Sequence, residues 1–158
     1  MKKTKSRKRV VLKLILRAFF TALGWVLLTS AFGLIQLWIM IGIALYVERV
    51  EDTIRSLMLN GGVLFFIMAL VTSIATDYYF DQSISLPRWL EGIIFLVFPL
   101  ITGIYVSYSY TAFFFLKEQN INYAVVSLSQ QLALIWTVLY ALVAKFIQFL
   151  EPSWRSIR

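Results

Sequence analysis

The chain has 158 residues and a formal net charge of +7, with 60% hydrophobic and only 15% charged residues, and it contains neither Cys nor His. Because soluble domains contain about a quarter charged residues, this composition excludes a soluble globular protein and is typical of a polytopic α-helical membrane protein. The two missing residue types exclude a bis-His haem, an iron–sulfur cluster, a Cys/His zinc site and any Cys or His nucleophile or base.

Residues 1–17 form a basic arm without any acidic residue. Its second half alternates apolar and basic positions at helical spacing, which predicts a partly amphipathic segment on the membrane surface. We expect anionic lipid to contact four basic residues of this arm, namely Lys8, Arg9, Lys13 and Arg17. A role in setting topology is the simpler interpretation of the same charge. Aromatic residues do not alternate with the basic ones, so we expect no nucleic-acid partner.

The stretch from Ala18 to Val47 contains no charged residue in thirty positions and predicts the first transmembrane helix, over 18–47. Such a helix would be about 45 Å long, against roughly 30 Å for the hydrocarbon core, so it must tilt or project beyond the lipid. Apolar residues at helical spacing extend the helix to Asn60, before the turn residues Gly61 and Gly62. This charged extension over 48–60 is either a docking face for a partner or a solvated helix end.

The second span, over 61–80, is short for a bilayer. Ala69, Ser73 and Asp77 follow at a spacing of four, so the first two are candidate helix-packing residues on a face that ends in an acid. Aromatic residues follow Asp77 directly, which favours a position at the membrane interface over a proton or ion site.

The third span, over 89–116, contains Pro99, and we expect a kink close to it because proline lacks an amide hydrogen and crowds the preceding turn. Gly103, Ser107 and Thr111 follow at a spacing of four and are candidate helix-packing residues. Packing is one interpretation of this region. A discontinuous helix at a transport site is the other.

The fourth span, over 124–150, carries a face of small residues and amides. The candidate helix-packing residues on this face are Ala133, Thr137 and Ala141. The candidate buried polar residues are Gln130 and Gln131, together with Gln36 of the first span. At least one of the two fourth-span amides should bond a neighbour such as Ser107, Thr111 or Gln36, and Lys145 should extend toward the interface.

The predicted fold is therefore an all-α integral membrane protein with the arm at 1–17 and a bundle of four transmembrane helices over 18–158, the first long and projecting. With the N-terminus inside, one side of the membrane carries twelve Lys and Arg residues and the other carries three. This asymmetry predicts that both termini are cytoplasmic. The expected location is a bacterial inner membrane.

The function most consistent with these features is non-catalytic. The eight acidic residues are scattered near the span ends, so we expect no enzyme, no catalytic residue, no metal and no cofactor. Besides lipid, the expected partner is another membrane protein or a second copy of the chain, with the protein acting as an accessory or assembly subunit of a larger membrane complex. The alternative is a homo-oligomeric pore or small transporter that uses the Pro99 kink and the helix of Gln130 and Gln131.

Overall fold

The structure is a computed structural model that describes residues 2–47, 55–56, 58–80, 86–116 and 121–155. These residues form helices, turns and short connections without any strand, which confirms the all-α class. In chain order the elements are α1 (Lys2–Gly33), α2 (Ile35–Val47), α3 (Gly62–Phe80), α4 (Arg88–Gly92), a π-helical turn (Ile93–Val97), α5 (Phe98–Phe115) and α6 (Tyr123–Arg155).

Four helical stretches in the described residues are long and apolar enough to cross a membrane, which confirms the predicted number of apolar helices. They are Val10–Gly33, Gly62–Phe80, Arg88–Phe115 and Tyr123–Leu150. These four stretches indicate a membrane protein.

The first helix begins earlier than the apolar stretch that predicts it, because the basic arm is itself helical from Lys2 and continues into the span. Lys, Arg and Leu are good helix formers, and no Gly or Pro interrupts the arm. After Gly33 the backbone hydrogen bonds continue across Leu34, whose N–H donates to the Ser30 carbonyl at 3.0 Å and whose carbonyl accepts from Trp38 at 3.0 Å. Consequently α2 follows α1 almost without interruption.

Part of the predicted extension over 48–60 lies outside the described residues, namely 48–54 and 57. The described part is helical up to Leu59 and turns at Asn60 and Gly61. Gly61 has a φ of 76°, which is the left-handed region that glycine adopts without steric cost. A Cβ at this position would also lie 3.0 Å from the Tyr110 ring, so a larger residue would have to displace this exposed side chain slightly.

The third span contains a π-helical turn where the sequence predicts distortion by Pro99. The Phe98 N–H donates to the Ile93 carbonyl, which is a bond to the fifth residue back rather than the fourth. Pro99 is the second residue of α5, where its missing N–H does the least damage. We attribute the wide turn upstream to the proline ring, which crowds the preceding carbonyls. The kink itself stays a prediction.

Contacts between the helices fix the directions of α3 and α6. The Gln130 amide reaches the Met58 carbonyl just before α3, and Lys145 reaches Asp77 near the end of α3. Residue numbers therefore rise in the same direction along both helices, so α3 and α6 run parallel.

The other two long helices run antiparallel to this pair. Gly33 lies against Phe66, whereas the earlier residue Trp25 lies against Lys145, so α1 points the opposite way. The α5 end of the third span contacts the start of α3, and its π-helical turn stacks on Tyr78 near the end of α3. The first residue of α1 and the last of α6 therefore lie at the same end of the bundle.

The core lies where α1, α3, the π-helical turn and α6 meet. Its fully buried centre includes Ile74 on α3 and Ala141 and Ala144 on α6. Two stacked aromatic pairs hold the third span to this centre, with ring centroids 3.7 Å apart for Tyr78–Phe95 and 4.1 Å apart for Phe98–Tyr140. The small alanines let the backbones approach closely, and the rings fill the wider gaps beside them.

Candidate functional site

The inward face of α6 carries most of the buried polar side chains of the described residues. They recur at helical spacing along the helix, so its rotation brings them to one side. The buried polar residues on this face are Gln130, Thr137, Lys145 and Gln148. Because α1 and α3 cover this face, polar groups and small residues share the interior of the bundle.

An ion pair lies inside the helical bundle near one end of this face. Lys145 Nζ is 2.6 Å from Asp77 Oδ2 and 4.3 Å from the centroid of the Trp25 ring. The contacts join α1, α3 and α6 through one ammonium group. The Lys145 side chain is only 6% exposed, whereas that of Asp77 is 48% exposed. The ammonium group is therefore buried, whereas the carboxylate is partly exposed at the surface of the bundle.

Near the opposite end of the inward face of α6, a buried side-chain amide bonds the turn before α3. Gln130 is fully buried, and its Nε2 donates to the Met58 carbonyl at 3.0 Å. This partner is a backbone group in the turn before α3, and the side chains of Ser107 and Thr111 are exposed elsewhere. Gln131 is exposed, and its Nε2 donates to Ser127 Oγ one turn earlier at 3.2 Å. Adjacent amides on α6 therefore have different surroundings.

Several buried polar atoms in the described residues have no hydrogen-bond partner among the protein atoms. These atoms are Gln130 Oε1, Tyr140 Oη, Gln148 Nε2 and Tyr105 Oη. Buried polar atoms are usually bonded, so each of these can accept or donate a bond to water or to a polar ligand. The interior therefore contains hydrogen-bonding atoms that are not used by bonds within the described part of the protein.

The predicted helix-packing residues fall into two groups. Ala133 is half-buried, and Thr137 and Ala141 are buried on the inward face of α6. The residues of the other two faces point mainly away from the bundle: Ala69, Ser73, Ser107 and Thr111 are exposed, and Gly103 is half-buried. A Cβ on Gly103 would lie 3.7 Å from Met68 Cε, which is an ordinary contact.

The remaining predicted residues lie in α1 and α2. Lys13 and Arg17 are exposed on α1, and their contact with lipid stays a prediction. Lys8 and Arg9 belong to the same helix and Gln36 belongs to α2, but their side chains lie outside the described part of the structure.

Sequence reasoning did not pair Asp77 with Lys145, because it assigned each to the membrane interface separately. The available signal was their opposite charge near the same end of two spans that the alternating topology makes parallel. The helix register that turns them toward each other is not visible in a hydrophobicity pattern. Trp25 on α1 also contacts Lys145, but nothing in the sequence around Trp25 predicts this contact.

No three acidic side chains of the described residues come close enough together to hold a metal ion. The chain matches no known family, no curated protein and no solved structure.

Proposed function

We propose that this protein is a non-catalytic membrane protein that acts through contacts between its helices and those of another membrane protein, as an accessory or assembly subunit of a larger complex. The observation that carries the proposal is the outer face of α3. Four small or hydroxyl-bearing residues on this face are exposed at helical spacing, namely Ala69, Thr72, Ser73 and Thr76.

Such a face suits a protein neighbour better than lipid. Small side chains let a second helix approach closely, and hydroxyls can bond across the contact. The neighbouring helix α5 adds Ser107 and Thr111, which are also exposed. Both groups are exposed among the described residues, so both can contact another polypeptide.

The interior polar groups support the same proposal. Lys145 is neutralised by Asp77, and the Gln130 amide is bonded to the Met58 carbonyl. These bonds hold the helices together. A transport path would instead need such groups to exchange their partners with a passing solute.

We propose further that the protein resides in a bacterial inner membrane with both termini in the cytoplasm and its basic arm against anionic lipid. The Lys and Arg asymmetry supports this orientation, and the common end of α1 and α6 is consistent with it. The chain has no cysteine of its own, so single cysteines report topology cleanly. Cysteines replacing Lys5 or Ser156 should be protected from an impermeant external reagent, and those replacing Thr53 or Gln119 should react. The opposite pattern contradicts the orientation.

One observation favours a second function, an oligomeric pore or small transporter. An ion pair within a transmembrane bundle is a common feature of ion and proton pathways, and the unbonded Gln148 and Tyr140 atoms lie on the same helix. Four helices enclose little space, so this function would require several copies of the chain.

Mass measurement after mild detergent extraction distinguishes the two functions. An accessory subunit should be recovered with a different polypeptide, whereas a pore should give multiples of 18.3 kDa. Ala69→Leu should reduce recovery of the partner, and Ala31→Leu is the matched control because Ala31 is exposed on α1. A homo-oligomer that conducts solute in vesicles and is indifferent to Ala69→Leu would replace the accessory-subunit proposal.

A further inference from the structure

The outer face of α6 carries two polar side chains that point away from the bundle, Gln131 and Trp136. Both are exposed, and Trp136 is 64% exposed. Trp136 lies at the midpoint of the apolar stretch Tyr123–Leu150, about 20 Å from either end. Tryptophan is enriched at membrane interfaces rather than at this depth. In a membrane-spanning α6, the indole N–H therefore lies where no water can accept its hydrogen bond.

Gln131 also has a hydrogen-bonding atom to spare. Its Nε2 donates to Ser127 Oγ at 3.2 Å. Among the described residues, neither the Gln131 Oε1 nor the Trp136 indole N–H has a hydrogen-bond partner. Gln131 lies about 12 Å inside the span when counted from Tyr123, where a polar atom without a partner is costly. The outer face of α6 therefore presents an acceptor on one residue and a donor on the other.

Five apolar side chains form a seam between these two polar residues, which we call the α6 seam. All five are exposed: Val125, Leu128, Leu132, Ile135 and Leu139. Their spacing alternates between three and four, which is the heptad pattern of helices that pack side by side, with the seam at positions a and d. Gln131 then occupies a position g, and Trp136 occupies the next position e. Lipid tails are as apolar as the seam, so the two polar residues decide what covers it.

The positions of the donor and the acceptor fit a second copy of this chain. When two identical helices run parallel, position g of one helix faces position e of the following heptad on the other. These positions are five residues apart, as Gln131 and Trp136 are. Two copies inserted the same way are related by a two-fold axis along the membrane normal, so each contact occurs twice. Each Trp136 N–H can then donate to the Gln131 Oε1 of the other copy.

We propose that two copies of this chain pair through the α6 seam, with two reciprocal hydrogen bonds between Trp136 and Gln131. The partner is a second copy because the same face, at the same depth, supplies both the donor and the acceptor that the contact needs. Two helices in direct contact enclose no channel, so this pair differs from an oligomeric pore. The pairing does not rest on the proposed function, which uses the outer face of α3.

Single cysteines test the contact, because the chain has none of its own. The full chain is reconstituted alone in phospholipid vesicles and oxidised with copper phenanthroline. Ile135→Cys places two thiols close to the two-fold axis and should give a disulfide-linked pair. Ile104→Cys is the matched control, since Ile104 is 63% exposed against 56% for Ile135 and lies near the middle of the third span. Equal crosslinking of the two variants, or none with Ile135→Cys, would overturn the pairing.

A double-variant cycle tests the hydrogen bonds. Energy transfer between dyes on a cysteine that replaces Ser156 gives the association constant as added lipid dilutes the protein in the vesicles. Gln131→Leu and Trp136→Phe should each weaken association about tenfold, because each removes both reciprocal bonds. The double variant should associate no more weakly than either single variant, and Trp89→Phe, at an exposed tryptophan of α4, should have no effect. Losses that add in the double variant, or an equal loss for Trp89→Phe, would overturn the bond between Gln131 and Trp136.

Discussion

The ion pair between Lys145 and Asp77 should respond very unequally to removal of one partner or the other. Asp77→Asn keeps the shape of the side chain but removes the negative charge that compensates an ammonium that is only 6% exposed and lies beside the Trp25 ring. An uncompensated buried charge costs about 3 to 5 kcal/mol of unfolding free energy. Lys145→Met instead leaves a carboxylate that is 48% exposed and can be hydrated, so its cost should be only about 1 to 2 kcal/mol.

The double variant Asp77→Asn/Lys145→Met completes a thermodynamic cycle. Because it contains no unpaired charge, it should be more stable than Asp77→Asn alone. Unfolding free energies can be measured by titrating detergent-solubilised protein with SDS and following far-UV circular dichroism. If Asp77→Asn destabilises the protein no more than Lys145→Met, the lysine is reaching water in the variant. The asymmetry argued from burial would then be wrong.

Three further substitutions test other parts of the fold by the same titration. Gly33→Ala places a Cβ 2.5 Å from the buried Phe66 ring and should cost about 1 to 3 kcal/mol of unfolding free energy. Its control, Gly24→Ala, meets no atom within 4 Å and should be neutral or stabilise the protein by up to about 1 kcal/mol. Similar effects of the two variants would show that the Phe66 ring moves freely. Gln130→Leu should cost about 1 kcal/mol because it removes the amide bond to the Met58 carbonyl, which keeps its 3.3 Å bond from the Gly61 N–H. The exposed Gln131→Leu should stay within about 0.5 kcal/mol. The reverse order would refute the assigned amide contact. Gly61→Ala should cost about 1 to 2 kcal/mol from its positive φ alone, and an unaltered midpoint would contradict that conformation.

The helices were predictable because their signals are local. Runs without charge predict the apolar helices from composition alone, and Pro99 predicts a disturbance because proline lacks the N–H that an α-helix needs. The predicted boundary between the basic arm and the first span, at Ala18, did not indicate where the first helix begins. Hydrophobicity changes there, but the tendency to form a helix does not, so α1 runs through it.

The sequence by itself determines the membrane class, the all-helical fold and the number of apolar helices, because each depends on hydrophobic length within one segment. Only the tertiary structure decides which polar groups meet. Lys145 faces Asp77 and Gln130 faces Met58 because α3 and α6 run side by side in a particular register. A shift of one residue turns a side chain by about 100°, which is enough to exchange core for lipid. That register is set by packing over the whole helix pair, so no local pattern in the sequence reveals it.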